Sequence, residues 1–154
     1  MIRSYLENDR DALIDIFKLN TPKFFDANEQ KDFESYLDEY GGYYFVIEQD
    51  GKIAGGGGLK FQNDKKIVRI SWDILHPDSQ GRGLGSELLK YRLNWLSEHI
   101  DQHAHLRKIE SWTSQVSFKF YEKFGFGLCE IKKNFWGPEL NLYLMEKDFT
   151  RLSS

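Results

Sequence analysis

Between His76 and Leu89 the chain reads HPDSQGRGLGSELL, with Gly81, Gly83 and Gly85 inside five residues. The run before it, KKIVRISWDILHP, is β-branched and aromatic and stops at Pro77, so it reads as a strand. After it, from Gly83 to about His99, Leu84, Leu88, Tyr91 and Trp95, with Leu89, Leu93 and Leu96, recur at helical intervals and predict a long amphipathic helix. A strand must therefore enter a helix through a turn nearly free of Cβ atoms. Such a turn lets a ligand approach the backbone, and it leaves the first helical N–H groups unpaired at the positive end of the dipole. That suits an anion such as pyrophosphate; the plainer reading is a tight connector with no ligand.

The rest of the chain fits around this junction. MIRSYL predicts a short first strand, after which Asn8 or Asp9 can cap a helix carrying Leu13, Ile16 and Phe17, with Leu19 as a further candidate, at helical spacing. TPKFFD breaks that helix, and a second runs from about Asn28 to Tyr40, with Phe33, Tyr36 and Leu37 inward and Gly41-Gly42 at its end. YYFVIEQDGKIAGGGGLKF reads as a hairpin turning at Asp50-Gly51, a pair suited to positive φ angles. Beyond the long helix come a strand in LRKIESWT, a short helix in SQVSFKFYEKFG, and two closing strands, FGLCEIKKNFW and ELNLYLMEK, around Gly137-Pro138. The predicted order is β, α, α, three β, α, β, α, β, β, a mixed α/β class without repeats or an interdomain linker.

Composition excludes several classes. At 154 residues the chain is the size of one domain, expected to span 1–154, and can bury a core without disulfides or metal. The formal charge is −3 and no block of Lys or Arg occurs, so no nucleic-acid partner is expected. Cys129 is the lone cysteine, the start MIRSYLENDRD is too charged for a signal peptide, and no apolar run nears the ~18 residues of a membrane span. The expected setting is cytoplasmic, with no membrane partner. His99, His103 and His105 include an i, i+4 pair, but no carboxylate or cysteine completes a ligand set, and no metal is expected. Gly55 to Gly58, late in the third strand, read as a bulge or as close backbone packing.

Two familiar phosphate-binding turns do not fit. No Gly-Lys-Ser/Thr follows for a P-loop, and Ser86 stands where the last glycine of G-x-G-x-x-G belongs. Gln80-Gly81-Arg82-Gly83-Leu84-Gly85 instead resembles the Q/R-x-x-G-x-G/A signature of the GNAT N-acetyltransferases. A second landmark of that family, a helix ending in Tyr-x-Lys-x-Gly-Phe, is matched by Tyr121-Glu122-Lys123-Phe124-Gly125-Phe126, and the order of elements also follows, so the resemblance covers roughly the whole chain. It implies a central, mostly antiparallel sheet of six to seven strands with flanking helices and a splayed fourth and fifth strand. It also implies acetyl-CoA as acyl donor and direct transfer, in a ternary complex, to a primary amine of a small molecule or peptide. An acyl-CoA-binding module without turnover is the alternative, and the chain would be a monomer or homodimer.

The same resemblance implies the site. The pantetheine arm would lie between the splayed strands, with backbone N–H groups around Ile74 and Leu75 on the acyl carbonyl, and Gln80, Gly81, Arg82, Gly83, Leu84, Gly85 and Ser86 on the pyrophosphate. Ser114 stands where many relatives carry an Asn that bonds the arm; Thr113, Ser114 and Gln115 otherwise read as a polar helix cap. Tyr121 is the candidate general acid, since a phenol with pKa near ~10 can donate to a departing thiolate, though FKFYEKFGF is aromatic enough for it simply to pack. Asp73 is the candidate base, because alternation along RISWDIL puts it on one face with Arg69, Ser71 and Leu75; a hydrogen-bonded strand residue is its other reading. Several relatives use a Glu farther back on this strand, where this chain has Arg69, and Glu110 and His76 are the reserves. The loop NTPKFFDANEQ offers Asp26 or Glu29 to attract a cationic amine, or is a plain connector.

Overall fold

Four consecutive glycines pair in register with four large buried residues, Tyr44↔Gly58, Phe45↔Gly57, Val46↔Gly56 and Ile47↔Gly55. The computed structural model in which this is seen describes residues 1–62, 64, 66–99 and 106–149. Its elements are β1 (Ile2–Ser4), α1 (Arg10–Leu19), α2 (Gln30–Tyr40), β2 (Tyr44–Gln49), β3 (Lys52–Gln62), β4 (Ile67–Leu75), α3 (Leu84–Glu98), β5 (Lys108–Thr113), α4 (Phe118–Glu122), β6 (Gly127–Gly137) and β7 (Leu140–Asp148). Seven strands hydrogen-bond in the order β1-β2-β3-β4-β5-β7-β6. The β4–β5 pairing is parallel, and β1–β2, β2–β3, β5–β7 and β6–β7 are antiparallel, so the sheet is mixed as expected.

The chain divides into two compact units, one of Met1–Leu59 with Trp72–Trp95, the other of Lys60–Ser71 with Leu96–Ser154. In the first, the β2–β3 hairpin turns at Asp50 (φ 52) and Gly51 (φ 75), the left-handed pair that the sequence predicts. Tyr44 and Val46 face a core built with Leu13, Ile16 and Phe17 of α1, Phe33, Tyr36 and Leu37 of α2, and Ile74. Phe45 points the other way, onto Tyr91 and Trp95 of α3, at 5.3 and 5.8 Å between ring centroids. This strand is thus buried on both faces, and the glycines opposite it supply the room.

The use of that room is clearest at Gly57. A Cβ there would lie 2.7 Å from Asp73 Oδ1, 2.8 Å from Arg92 Nη1 and 2.9 Å from Leu88 Cδ2. Arg92, on α3, is fully buried and donates through Nη1 and Nη2 to the two carboxylate oxygens of Asp73 at 2.6 Å each, and through Nη1 to Gly58 O at 3.0 Å. On the opposite face, Gly58 makes way for the Tyr36 hydroxyl, which donates to Leu59 O at 2.9 Å, and the Tyr44 hydroxyl donates to Trp72 O at 2.8 Å. Burial pushes both phenols above their ordinary range. Close packing, rather than a bulge at the glycines themselves, accounts for the quartet; the irregularity lies one step on, between Ile47 and Glu48.

In the second unit β4 and β5 run in register from Ile67↔Lys108 to Ile70↔Ser111, and β5 continues against β7 as far as Thr113↔Tyr143. Gln115 clamps the β6–β7 end, donating to Glu139 O and accepting from Asn141 N at 2.9 Å. The helix predicted over SQVSFKFYEKFG shrinks to the five residues of α4, because Ser114 O accepts from both Ser117 N and Phe118 N and spends the preceding residues on a turn.

The Arg92–Asp73 pair yields a stability prediction. Asp73→Asn removes the carboxylate charge bonded to a fully buried guanidinium and is expected to cost about 3–5 kcal/mol in urea unfolding. Arg92→Met, which keeps the stem volume and leaves Asp73 to the water that already reaches it, is expected to cost less. The reverse ranking would mean that the pair is not the buried tie described.

Candidate functional site

Within the first unit, β4 delivers the chain into the glycine turn by way of a tight 3₁₀ turn, Pro77–Ser79, where His76 Nδ1 accepts from Asp78 N at 3.1 Å. Gly81 (φ 79) and Gly83 (φ 78) are both left-handed, and a Cβ on either would meet nothing within 4 Å. These glycines are required by backbone conformation, and they face open space. Gly81, Arg82 and Gly83 are exposed, and α3 begins at Leu84 with Glu87 N bonded to Gly83 O at 3.1 Å. The N–H groups of Leu84, Gly85 and Ser86 consequently open the helix, at the positive end of a fifteen-residue dipole. An anion fits this cradle.

Gln80 contributes differently from its neighbours. Its amide turns inward, donating to Asn20 Oδ1 at 3.0 Å and to Leu75 O at 3.3 Å, while Asn20 Nδ2 donates to Leu75 O at 2.8 Å and to Ile16 O at 2.9 Å. Asn20 is buried, so α1, the end of β4 and the glycine turn share one hydrogen-bond knot. No sequence pattern marked Asn20 for this role. Arg92 did leave a trace: it falls on the Leu88–Leu96 stripe at i+4 spacing, a charge on the apolar face of the helix.

Two residues before Ile74, Trp72 stands at φ +55 inside β4. A bulky residue in the left-handed region costs on the order of 1–3 kcal/mol, a strain that tends to sit beside functional sites. It also breaks the regular extended backbone on which the alternation from Arg69 to Leu75 depends. Trp72 is held by its carbonyl, which accepts from Tyr44, and by rings at 5.2 Å (Phe33) and 6.0 Å (Phe25). Asp73 lies in the Arg92 clamp, Ile74 is buried in the core, and Leu75 offers its carbonyl to Asn20 and Gln80.

The loop between α1 and α2 uses its carboxylates locally. Asp26 Oδ1 accepts from Asn28 N at 2.9 Å and Glu29 Oε2 accepts from Asp26 N at 2.8 Å, a reciprocal capping box on the turn that opens α2. Burial pushes the Glu29 carboxyl up to about 7, against the pull of the Asp26 N–H.

In the second unit, Tyr121-Glu122-Lys123-Phe124-Gly125-Phe126 is a complete helix terminator. Phe126 N donates to Tyr121 O at 3.2 Å, Gly125 N to Glu122 O at 3.0 Å, and Gly125 is left-handed at φ 89. Tyr121 and Phe126 make the apolar contact that accompanies this motif, their rings edge-to-face at 5.6 Å. Tyr121 is buried, as is Ser114, whose Oγ accepts from Val116 N at 3.2 Å. Ser114 therefore precedes α4 and Tyr121 stands in its last turn. Glu110 accepts from Arg69 Nε at 3.0 Å and Trp112 Nε1 at 2.6 Å, and the Arg69 guanidinium lies 3.6 Å from the Trp112 ring centroid.

His103 and His105 lie outside the described residues, and no cluster of three metal-ligating side chains occurs among those described. Nor is any described helix long and apolar enough to cross a membrane.

The family model of the acetyltransferase (GNAT) family matches residues 11–126. No curated protein matches the sequence. Among solved structures, the ribosomal-protein-S18-alanine N-acetyltransferase of Escherichia coli superposes with a TM-score of 0.79 at 19% identity, over 100% of this chain and 96% of that one. An aminoglycoside 6′-N-acetyltransferase complexed with coenzyme A gives 0.73 at 13% identity, over 100% and 99%. The protein yncA of Salmonella typhimurium, with its cofactor acetyl-CoA, gives 0.71 at 18%, over 100% and 96%. At these identities the likeness is one of fold.

Glu29 yields a pH prediction. Its folded-state pKa lies above the ordinary 4.5, so the folded chain binds this proton more tightly than the unfolded one. That contribution is whole below the ordinary value and is lost as pH rises through about 7. Glu29→Gln, which keeps an acceptor for Asp26 N, is expected to flatten the fall in thermal midpoint between pH 5 and pH 8. An unchanged slope would place the titrating group elsewhere.

Proposed function

The chain belongs to the acetyltransferase (GNAT) family, and from that premise we propose that it transfers an acetyl group from acetyl-CoA directly to a primary amine of a small molecule or peptide, in a ternary complex within one domain. The observation that carries this reading is the turn: left-handed Gly81 and Gly83 facing open space ahead of the N–H groups of Leu84, Gly85 and Ser86, which lie in the first turn of α3 where no preceding helical carbonyl can take them. A pyrophosphate needs several N–H donors and no side chain in the way, and this backbone offers both. Gln80 would hold the turn's shape from within, and Arg82 would add charge from the exposed side. The Ile74 and Leu75 backbone would take the acyl carbonyl, and the Ser114 hydroxyl the pantetheine arm.

Tyr121 would return a proton to the departing thiolate, its ring held at the end of α4 by Phe126. The candidate bases are each engaged by neighbouring donors. Both Asp73 oxygens receive N–H donors from Arg92, and Glu110 already serves Arg69 and Trp112. His76 accepts at Nδ1, so its neutral form carries the proton on Nε2 and presents a donor there. We therefore assign Asp73 a positioning role and removal of the amine proton to water. Those same engagements favour a second reading, an acyl-CoA-binding module that does not turn over.

Thermal unfolding with acetyl-CoA, CoA and adenosine diphosphate tests the site itself. A rise in midpoint with both thioester and thiol, and little with the nucleotide alone, is expected; no rise at saturation in a folded sample would reduce residues 80–86 to a structural turn. Turnover across an amine and peptide panel then separates the two readings. Tyr121→Phe is expected to keep the acetyl-CoA shift and lower kcat by roughly 10²-fold or more. Absence of turnover with every acceptor, with the shift intact, would favour the binding module.

A further inference from the structure

β6 is the terminal strand of the sheet, and all nine residues from Gly127 to Phe135 are exposed. Three of them are large and apolar: Leu128, Ile131 and Phe135 are 44%, 46% and 44% accessible. β7 takes one edge of the strand through Glu130↔Leu144, Ile131↔Tyr143 and Lys132↔Leu142, which leaves the other edge to present its backbone groups outward. An eleven-residue edge of this kind is a template for another strand.

We propose that β6 pairs antiparallel with β6 of a second copy of this chain, about a two-fold axis at Ile131, joining the two sheets edge to edge. The argument is charge self-complementarity. With the axis at Ile131, Glu130 stands opposite Lys132 of the second copy, and Lys132 opposite its Glu130. The two side chains share a face of the strand, where Lys132 Nζ lies 3.5 Å from Glu130 Oε2. Moving the axis one residue either way sets Glu130 against Glu130 or Lys132 against Lys132, and a parallel pairing in register sets like against like at every position. The pattern thus selects one register. On the opposite face Ile131 meets its own copy and covers two exposed apolar side chains. Register shifts between Leu128 and Glu130, and between Lys132 and Gly137, confine the regular ladder to this centre. Lysines commonly guard an edge against pairing, but the guard at 132, already 3.5 Å from Glu130 of its own strand, gains a second Glu130 across the axis when the partner is another β6.

Sedimentation velocity over a concentration series, on the full chain, reads the dimer. Glu130→Lys and Lys132→Glu are each expected to weaken it roughly tenfold or more, since each substitution creates two like-charge pairs, and the double exchange is expected to recover it. Oxidised glutathione added to Ile131→Cys in a Cys129→Ser background should give a disulfide-linked dimer, because opposed Cα atoms about 4.5–5.5 Å apart lie within bridging range. Glu139→Cys, at an exposed position beyond the strand, should not link. A monomer at every concentration overturns the proposal. So does a dimer that ignores the charge exchange and fails to link at 131, which would place the interface elsewhere.

Discussion

A buried guanidinium organises the first unit of this protein. Arg92 reaches from α3 across β3 to Asp73 on β4, and the reach is possible because Gly57 has no side chain. A charge taken out of water is tolerated when its donors find acceptors, and here two carboxylate oxygens, the Gly58 carbonyl and, for Nε at 3.4 Å, the Leu88 carbonyl accept from Arg92. The pair fixes the helix that begins at the glycine turn relative to the strand that leads into it. From the other side of the sheet, Tyr36 and Tyr44 use the space left by Gly58 and Gly56 to reach carbonyls of β3 and β4, Leu59 O and Trp72 O. The quartet is the shared condition of both ties.

Both stretches that carry the family resemblance are backbone shapes before they are chemistry. The first is a left-handed turn that leaves N–H groups pointing outward; the second is a helix terminator in which Gly125 reverses the chain and Tyr121 packs on Phe126. A short motif survives in sequence because few residues can take those φ angles. Tyr121 therefore has a structural reason to stand where it does, and a chemical role would be added to that reason.

The order of elements, the hairpin at Asp50-Gly51 and the glycine turn were legible because each rests on local chemistry: period, β-branching, positive φ. What escaped were long-range partners. Asn20 bonds residues fifty-five and sixty positions away, and nothing in its neighbourhood signals that. The reading of Asp73 as a base followed from strand alternation, which Trp72 interrupts and which carries no information about a guanidinium arriving from α3. Asp26 and Glu29 each give one carboxylate oxygen to a capping box, a local use that an acidic loop of the same composition does not announce.

The inward turn of the Gln80 side chain bears on how such a cradle would hold an anion. Side chains there maintain the shape from behind, and the front is peptide groups whose positions are stored in two dihedral angles. A ligand held that way would meet peptide groups first, and an exchange of the exposed Arg82 would change the charge added from the front without moving the donors behind it. The turn behaves as a mould rather than a set of hands.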